Sequence, residues 1–311
     1  MKFIKKVFGE SKLTERESIL ILIPLACLIG LIYSSSQVVL KEIGPFNFVF
    51  LRSLLGLVVI LLIKPKILRK ISFKSFKNLS IVGLFLAGDL IFIAFGLRLT
   101  LSGKGALIAN LGLLLAPLLS FIFFRERQSA KTMVSLVIGL LGSIMLIDVT
   151  SSDILFGDLF MLLSTIFYSF FLVFNSHFSR ADNYEKNAFI QLIIVCVISY
   201  LLIPFEGGIM FPKSLGGILA LIFVGVLITG VRFLVQARAQ SGLSPTKTGI
   251  VFLLEPVVAL FVGAILLSEK LSVMQITGAL IIFCSFLLNF LESKALNSLI
   301  AKIISGRDKA S

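Results

Sequence analysis

Polar residues punctuate this chain instead of alternating with apolar ones. Ten mostly apolar runs follow one another, at about 19–40, 46–63, 78–98, 103–124, 130–148, 157–178, 187–204, 216–238, 246–267 and 271–291, and most of the charge lies between them. About 20 helical residues cover a hydrocarbon layer of about 30 Å, so each run is long enough to cross a membrane. Within lipid every backbone amide must be satisfied inside its own segment or in a closed barrel. Continuous runs without strict alternation predict the helical solution. The fold class that follows is an all-α integral membrane protein with ten transmembrane helices.

Composition strengthens this reading. Of 311 residues, 58% are hydrophobic and 14% charged, which is more apolar surface than one water-soluble core can hide. The net charge of +13 does not point to nucleic acid, because the basic residues sit between the runs and not on one polar face with stacking aromatics. Their distribution sets an orientation instead. With the chain starting in the cytoplasm, cytoplasmic pieces hold 22 of the 29 lysines and arginines, the opposite pieces hold 5, and Arg52 and Arg232 lie inside segments. The positive-inside rule then places both termini in the cytoplasm, at a bacterial-type inner membrane. Cys27, Cys196 and Cys284 fall inside apolar runs and read as packing residues, not disulfide partners.

The chain also repeats itself. The stretch Lys104 to Ser143 parallels Lys247 to Phe286 at an offset of 143, which pairs Lys104 with Lys247 and Glu126 with Glu269. Tyr33-Ser34 parallels Tyr168-Ser169 at an offset of 135. Five crossings per copy is an odd number, so the second copy enters the membrane from the other side and the repeat is inverted. The expected division is a cytoplasmic segment over 1–18, a five-helix repeat over 19–148, a second over 157–292, and a basic tail over 293–311. In that tail Leu296, Leu299, Ile300, Ile303 and Ile304 recur at helical spacing, as in a helix lying on an anionic leaflet.

These features carry a resemblance. Pro45 and Arg52 in the second segment, Glu126 and Glu269 after the fourth and ninth, Gly157-Asp158-Leu159, Leu254-Glu255-Pro256 and Gly278-Ala279-Leu280 occur in an order that resembles the drug/metabolite transporter superfamily, in particular its EamA-type ten-helix permeases. The likeness spans about residues 19–292. It implies a secondary transporter, commonly an exporter of amino acids or other metabolites, with a central cavity between two five-helix repeats and no cofactor. One departure is visible: the position matching Pro256 in the first repeat is Leu113, and Pro117 follows one helical turn later.

Charged groups at mid-bilayer cost about 2.5–3.5 kcal/mol, so those retained tend to face a bundle interior or a watery cavity. Arg52, Asp89, Arg232 and Glu255 qualify, and the offset of 143 makes Asp89 and Arg232 pseudo-equivalent. They are the expected contacts for the carboxylate and amino ends of a zwitterionic solute, or Asp89 or Glu255 exchanges a proton as coupling ion; a fixed ion pair that locks helices is the bland alternative. Tyr33, Gln37, Asn110 and Tyr168 are the expected polar lining, although Asn and Gln also stitch membrane helices together. Pro117 and Pro256 each remove a helical amide hydrogen, and Lys104 and Lys247 each open the fourth segment of a repeat; these four are expected at hinges or gates. His177 is the only histidine, so no two-histidine metal site forms. No GxxxxGK[ST] occurs, which argues against an ATP-driven pump within this chain and leaves a gradient, an exchange or no coupling. An uptake carrier or exchanger of the same fold is the nearest alternative. A membrane enzyme acting on a lipid-linked substrate is more remote, since no acid/base or metal constellation gathers at one membrane face. Solute and lipid are the expected partners, and nucleic acid is not.

Overall fold

The computed structural model describes residues 13–65, 67, 73–100, 102–145, 156–181, 184–240, 243, 245–255, 257 and 272–290. The basic tail and most of the N-terminal segment lie outside the described residues, as does Pro256. All regular structure among the described residues is helical.

The first apolar run is two helices, α1 (Glu15–Ile29) and α2 (Ile32–Leu40), and the second is α3 (Pro45–Ile63). The third is α4 (Phe73–Leu99), the fourth divides into α5 (Ser102–Asn110) and α6 (Gly112–Phe124), and the fifth is α7 (Ala130–Met145). The second half follows with α8 (Phe156–Ala181), α9 (Tyr184–Leu202), then α10 (Leu215–Ile222) running through a π-helical stretch, Phe223–Val231, into α11 (Arg232–Gln240). Last come α12 (Pro245–Phe252) and α13 (Val273–Phe290).

Local chemistry explains several of the ends. Thr14 and Glu17 form a reciprocal capping box at the start of α1, with Glu17 N donating to Thr14 Oγ1 at 3.3 Å and Thr14 N to Glu17 Oε2 at 3.0 Å. Pro45 opens α3, where its missing amide hydrogen costs nothing. Ser214 caps α10 by accepting from Gly217 N at 2.9 Å.

Among the described residues five stretches are both long and apolar enough to span a membrane unbroken: Pro45–Ile63, Leu79–Leu99, Phe156–Phe178, Glu185–Glu206 and Leu215–Gln236. The fourth run falls short as a single helix because it breaks at Leu111, and the first because it breaks at Gly30 and Leu31. The breaks have their own hydrogen-bond partners. Thr165 Oγ1 lies 2.8 Å from the Ile108 carbonyl and 2.9 Å from that of Met161, and Ser169 Oγ 2.8 Å from the Gly112 carbonyl and 2.7 Å from that of Thr165, so hydroxyls of α8 share their hydrogens with the backbone on either side of Leu111.

Packing follows the repeat. α4 lies along α8, α3 along the π-helical stretch and α9, and α7 along α13. Exchanging each run with the one five places later converts α3 against the π stretch into α9 against α4, while α7 against α13 maps onto itself. The largest interfaces therefore join the repeats instead of lying within them, so the two copies interleave.

Contacts at the helix ends show the inversion directly. At the start of α3, Glu206 and Gly208, from the connection after α9, bond Asn47. At the far end of α3, Lys64 pairs with Glu185 at the start of α9, 2.5 Å apart. The same kind of loop pair thus meets at both ends of one helix, with the two repeats in exchanged roles. A second pair repeats the relation: Thr100 Oγ1 donates to Asp158 at 2.6 Å at one end, and Lys247 meets Glu15 at 2.5 Å at the other. The chain is a ten-helix membrane protein built from two inverted five-helix repeats.

Candidate functional site

Where α1–α6, α8, α11 and α12 converge, they enclose a cavity of about 80 Å³. At about 10–15 Å³ of such space per water, this is room for roughly five to eight waters, or one small organic molecule. Four irregularities among the described helices border this chamber. The break in the first run falls between the lining residues Ile29 and Ile32, that in the fourth beside Asn110, and that in the ninth between Phe252 and Glu255. The π-helical stretch ends one residue before Arg232, which also lines it. Discontinuous helices at mid-membrane are where carriers place solute and ion sites, because irregular backbone is tolerated only beside protein or water.

Seven of the eight predicted binding residues line this one chamber: Tyr33, Arg52, Asp89, Asn110, Tyr168, Arg232 and Glu255. All four charges are buried, with Arg52 2% exposed, Asp89 7%, Glu255 8% and Arg232 9%. Their formal charges cancel when all are ionised, yet none of the four stands within ion-pair distance of another. This distinguishes them from a closed salt bridge, whose attraction is spent internally. Asp89 accepts one hydrogen bond, from Ser164 Oγ at 2.6 Å. Glu255, Asn110 and the phenols of Tyr33 and Tyr168 make no hydrogen bond among the described residues. Arg52 donates from Nε to Thr229 Oγ1 at 3.1 Å. Several strong donors and acceptors thus face a shared space with valences left over, which is the arrangement that favours a polar guest.

Gln37 stands apart. Its Nε2 donates to the Leu97 and Thr100 carbonyls at 3.1 and 3.0 Å, stitching α2 to the end of α4 instead of lining the chamber. Pro117 lies inside α6 without ending it; the break comes earlier, at Leu111. Lys104 lies in α5, and Lys247 pairs with Glu15 at the helix ends, away from the chamber. Arg238 is buried in α11 at 2% exposure. His177 stacks on Phe124 with ring centroids 3.9 Å apart. Among the described residues no three His, Cys, Asp or Glu side chains gather as metal ligands.

Ser36 also lines the chamber and was readable in principle, three residues after Tyr33 on the same helical face. Thr229 was not, because an ordinary α-helical register does not bring it to Arg52.

A buried chamber with charges of both signs, framed by broken helices in an inverted repeat, defines a membrane transporter. The chain belongs to the EamA-like transporter family, whose model matches residues 17–148 and 155–291, one match per repeat. It is similar to the uncharacterized transporter YoaV of Bacillus subtilis (strain 168), 25% identical over 271 residues that cover 84% of this chain and 92% of that one. An uncharacterized transporter of Clostridium kluyveri is 21% identical over 302 residues, 88% of this chain and 94% of its own. A solved structure titled only as a crystal structure of a protein shares the fold with a TM-score of 0.71 at 19% identity, over 89% of this chain and 98% of that one.

Proposed function

We propose that the protein is a secondary carrier that moves a small organic solute, an amino acid or related metabolite, by alternating access at the central chamber. The observation that carries this reading is the convergence of Arg52, Asp89, Arg232 and Glu255 on one buried cavity without mutual ion pairs. A solute bearing both charges supplies the missing partners and offsets the cost of burying them. Asp89 and Glu255 are also the groups suited to carry a coupling proton. Export is the direction proposed, from an inner membrane with both termini in the cytoplasm, in keeping with the basic connections. Residues 1–18 and 293–311 then lie on the cytoplasmic side, the tail against the leaflet.

Alternating access must respect the interleaved packing. A motion of one whole repeat against the other would separate α4 from α8 and α3 from the π stretch, two of the broad contacts among the described residues. Smaller displacements at the breaks in the first, fourth and ninth runs open the chamber without that loss. Lys247 with Glu15 at one end, and the Glu42 and Glu206 contacts at the other, are the proposed gates, and Lys104, Pro117 and Pro256 stay as proposed gate or hinge residues.

The test is counterflow into liposomes holding purified protein, with pooled radiolabelled amino acids and metabolites. Saturable, trans-stimulated exchange supports a carrier. Flux that rises linearly with concentration and shows no trans-stimulation would indicate a pore.

A further inference from the structure

Arg52 and Arg232 both line the chamber, and the stretch that leads into Arg232 and touches Arg52 is unusual. The nine residues Phe223–Val231 are π-helical, a geometry that is rare, mostly confined to single turns and frequent at functional sites. Within it Thr229 Oγ1 donates to the Val224 carbonyl five residues back, at 2.8 Å. With its hydrogen committed there, the same oxygen presents a lone pair to Arg52 Nε, 3.1 Å away. The two backbones approach closely enough to make this possible. A Cβ on Gly56 of α3 would come within 2.8 Å of Thr229 Cγ2, and one on Gly230 within 2.7 Å of Val59 Cβ.

Fixing Nε leaves the rest of the guanidinium with work undone. Arg52 Nη2 is buried without a hydrogen-bond partner, and so is Arg232 Nε. Both side chains are more than nine-tenths buried and both line the chamber. Orphaned guanidinium donors at such depth are costly, and a planar oxyanion is the ligand whose geometry they match. The feature belongs to one half alone: at the repeat offsets, Thr229 corresponds to Leu86 and Arg52 to Asn187. Asp89, held by Ser164, and Glu255 supply the acidic groups.

We propose that Arg52 and Arg232 form a paired oxyanion subsite for a carboxylate of the solute, and that Thr229 is the positioning residue that aims Arg52 into it. This rests on the carrier reading above, and it fixes the orientation of the solute: carboxylate toward α3 and α11, cationic end toward Asp89 and Glu255.

The test uses the full chain in liposomes and an arginine-selective dicarbonyl, with adducts at Arg52 and Arg232 quantified by peptide mass spectrometry. Thr229→Val changes the Arg52 adduct rate by about fivefold, the population shift that one ordinary hydrogen bond supplies, while Thr229→Ser restores the native rate. In the native protein, a pool of L-amino acids slows modification of both arginines together, and the matching decarboxylated amines slow neither. An Arg52 rate indifferent to Thr229→Val overturns the positioning role, and so does a Ser variant that behaves like Val. Protection by amines equal to that by acids, or no protection by acids, overturns the subsite. Failure of counterflow with this protection pattern intact would count against the carrier reading alone.

Discussion

The Glu206 carboxylate lies 3.0 Å from the backbone nitrogen of Asn47 and 2.8 Å from its Nδ2, so a residue of the second repeat caps a helix of the first. The relation is reciprocal. Glu42, of the first repeat, accepts from Lys213 N and Ser214 N at 2.7 and 2.9 Å, and from Ser214 Oγ, at the start of α10. Two carboxylates, each placed at the positive end of a helix from the other repeat, close one end of the bundle.

Removing the first of these caps has a measurable cost. Glu206→Ala deprives Phe46 N and Asn47 N of their side-chain acceptor and leaves Asn47 Nδ2 only the Gly208 carbonyl, and about 1–3 kcal/mol of stability is expected to go with it. Thermal unfolding in detergent reads the loss. A melting temperature equal to the native one would show that the cap is idle.

The second cap responds to pH. Hydrogen bonds from the Ser214 side chain, then from Ser214 N and Lys213 N, hold the Glu42 carboxyl below its ordinary value. A depressed carboxylate contributes stability that is present at neutral pH and is lost only as pH falls through the lowered value. Hydrogen exchange at the Lys213 and Ser214 amides is therefore expected to stay slow at neutral pH and to accelerate only below about pH 4, the ordinary glutamate range. Ser214→Ala moves that onset to higher pH. An onset unmoved by the substitution would contradict the assignment.

Glycines along the joint between the second and eighth runs are not equivalent. Gly56→Ala places a methyl within 2.8 Å of Thr229 Cγ2 and 3.3 Å of Gly230 N, and an overpacking cost of about 1–3 kcal/mol is expected. Gly216→Ala, whose nearest neighbour would be Ser214 Oγ at 3.9 Å, is expected to be neutral or to stabilise by up to about 1 kcal/mol. Paired thermal melts decide the order, and a larger loss at Gly216 would contradict it.

Lys247 and Glu15 are 30% and 50% exposed at the side chain, so Lys247→Gln is expected to cost less than about 1 kcal/mol. If this contact gates the chamber, exchange rates change while the melting temperature does not. Loss of both together would mark a structural strut.

Hydropathy and the positions of intramembrane charge made the ten runs, the inverted repeat and most of the chamber readable from the chain, because lipid penalises polar groups one residue at a time. The helix breaks at Gly30 and Leu111 carried no such mark: the hydroxyls that bond the backbone on either side of Leu111 come from Thr165 and Ser169, distant in sequence. Gln37 was misleading for the same reason, since a buried amide serves a carbonyl as readily as a cavity. Glu42 and Glu206 were overlooked because loop carboxylates are ordinary in sequence, although Gly44 and Gly217, which make room for them, are the trace they left. Thr229 depends on a π-helical register that no apolar periodicity reveals.

The central claim is that buried charges in the shared chamber contact the solute. Counterflow by purified Asp89→Asn beside the native protein tests it most directly. The account predicts that exchange is abolished or loses its pH dependence while yield and thermal stability are kept; native KM, rate and pH profile in the variant would contradict it.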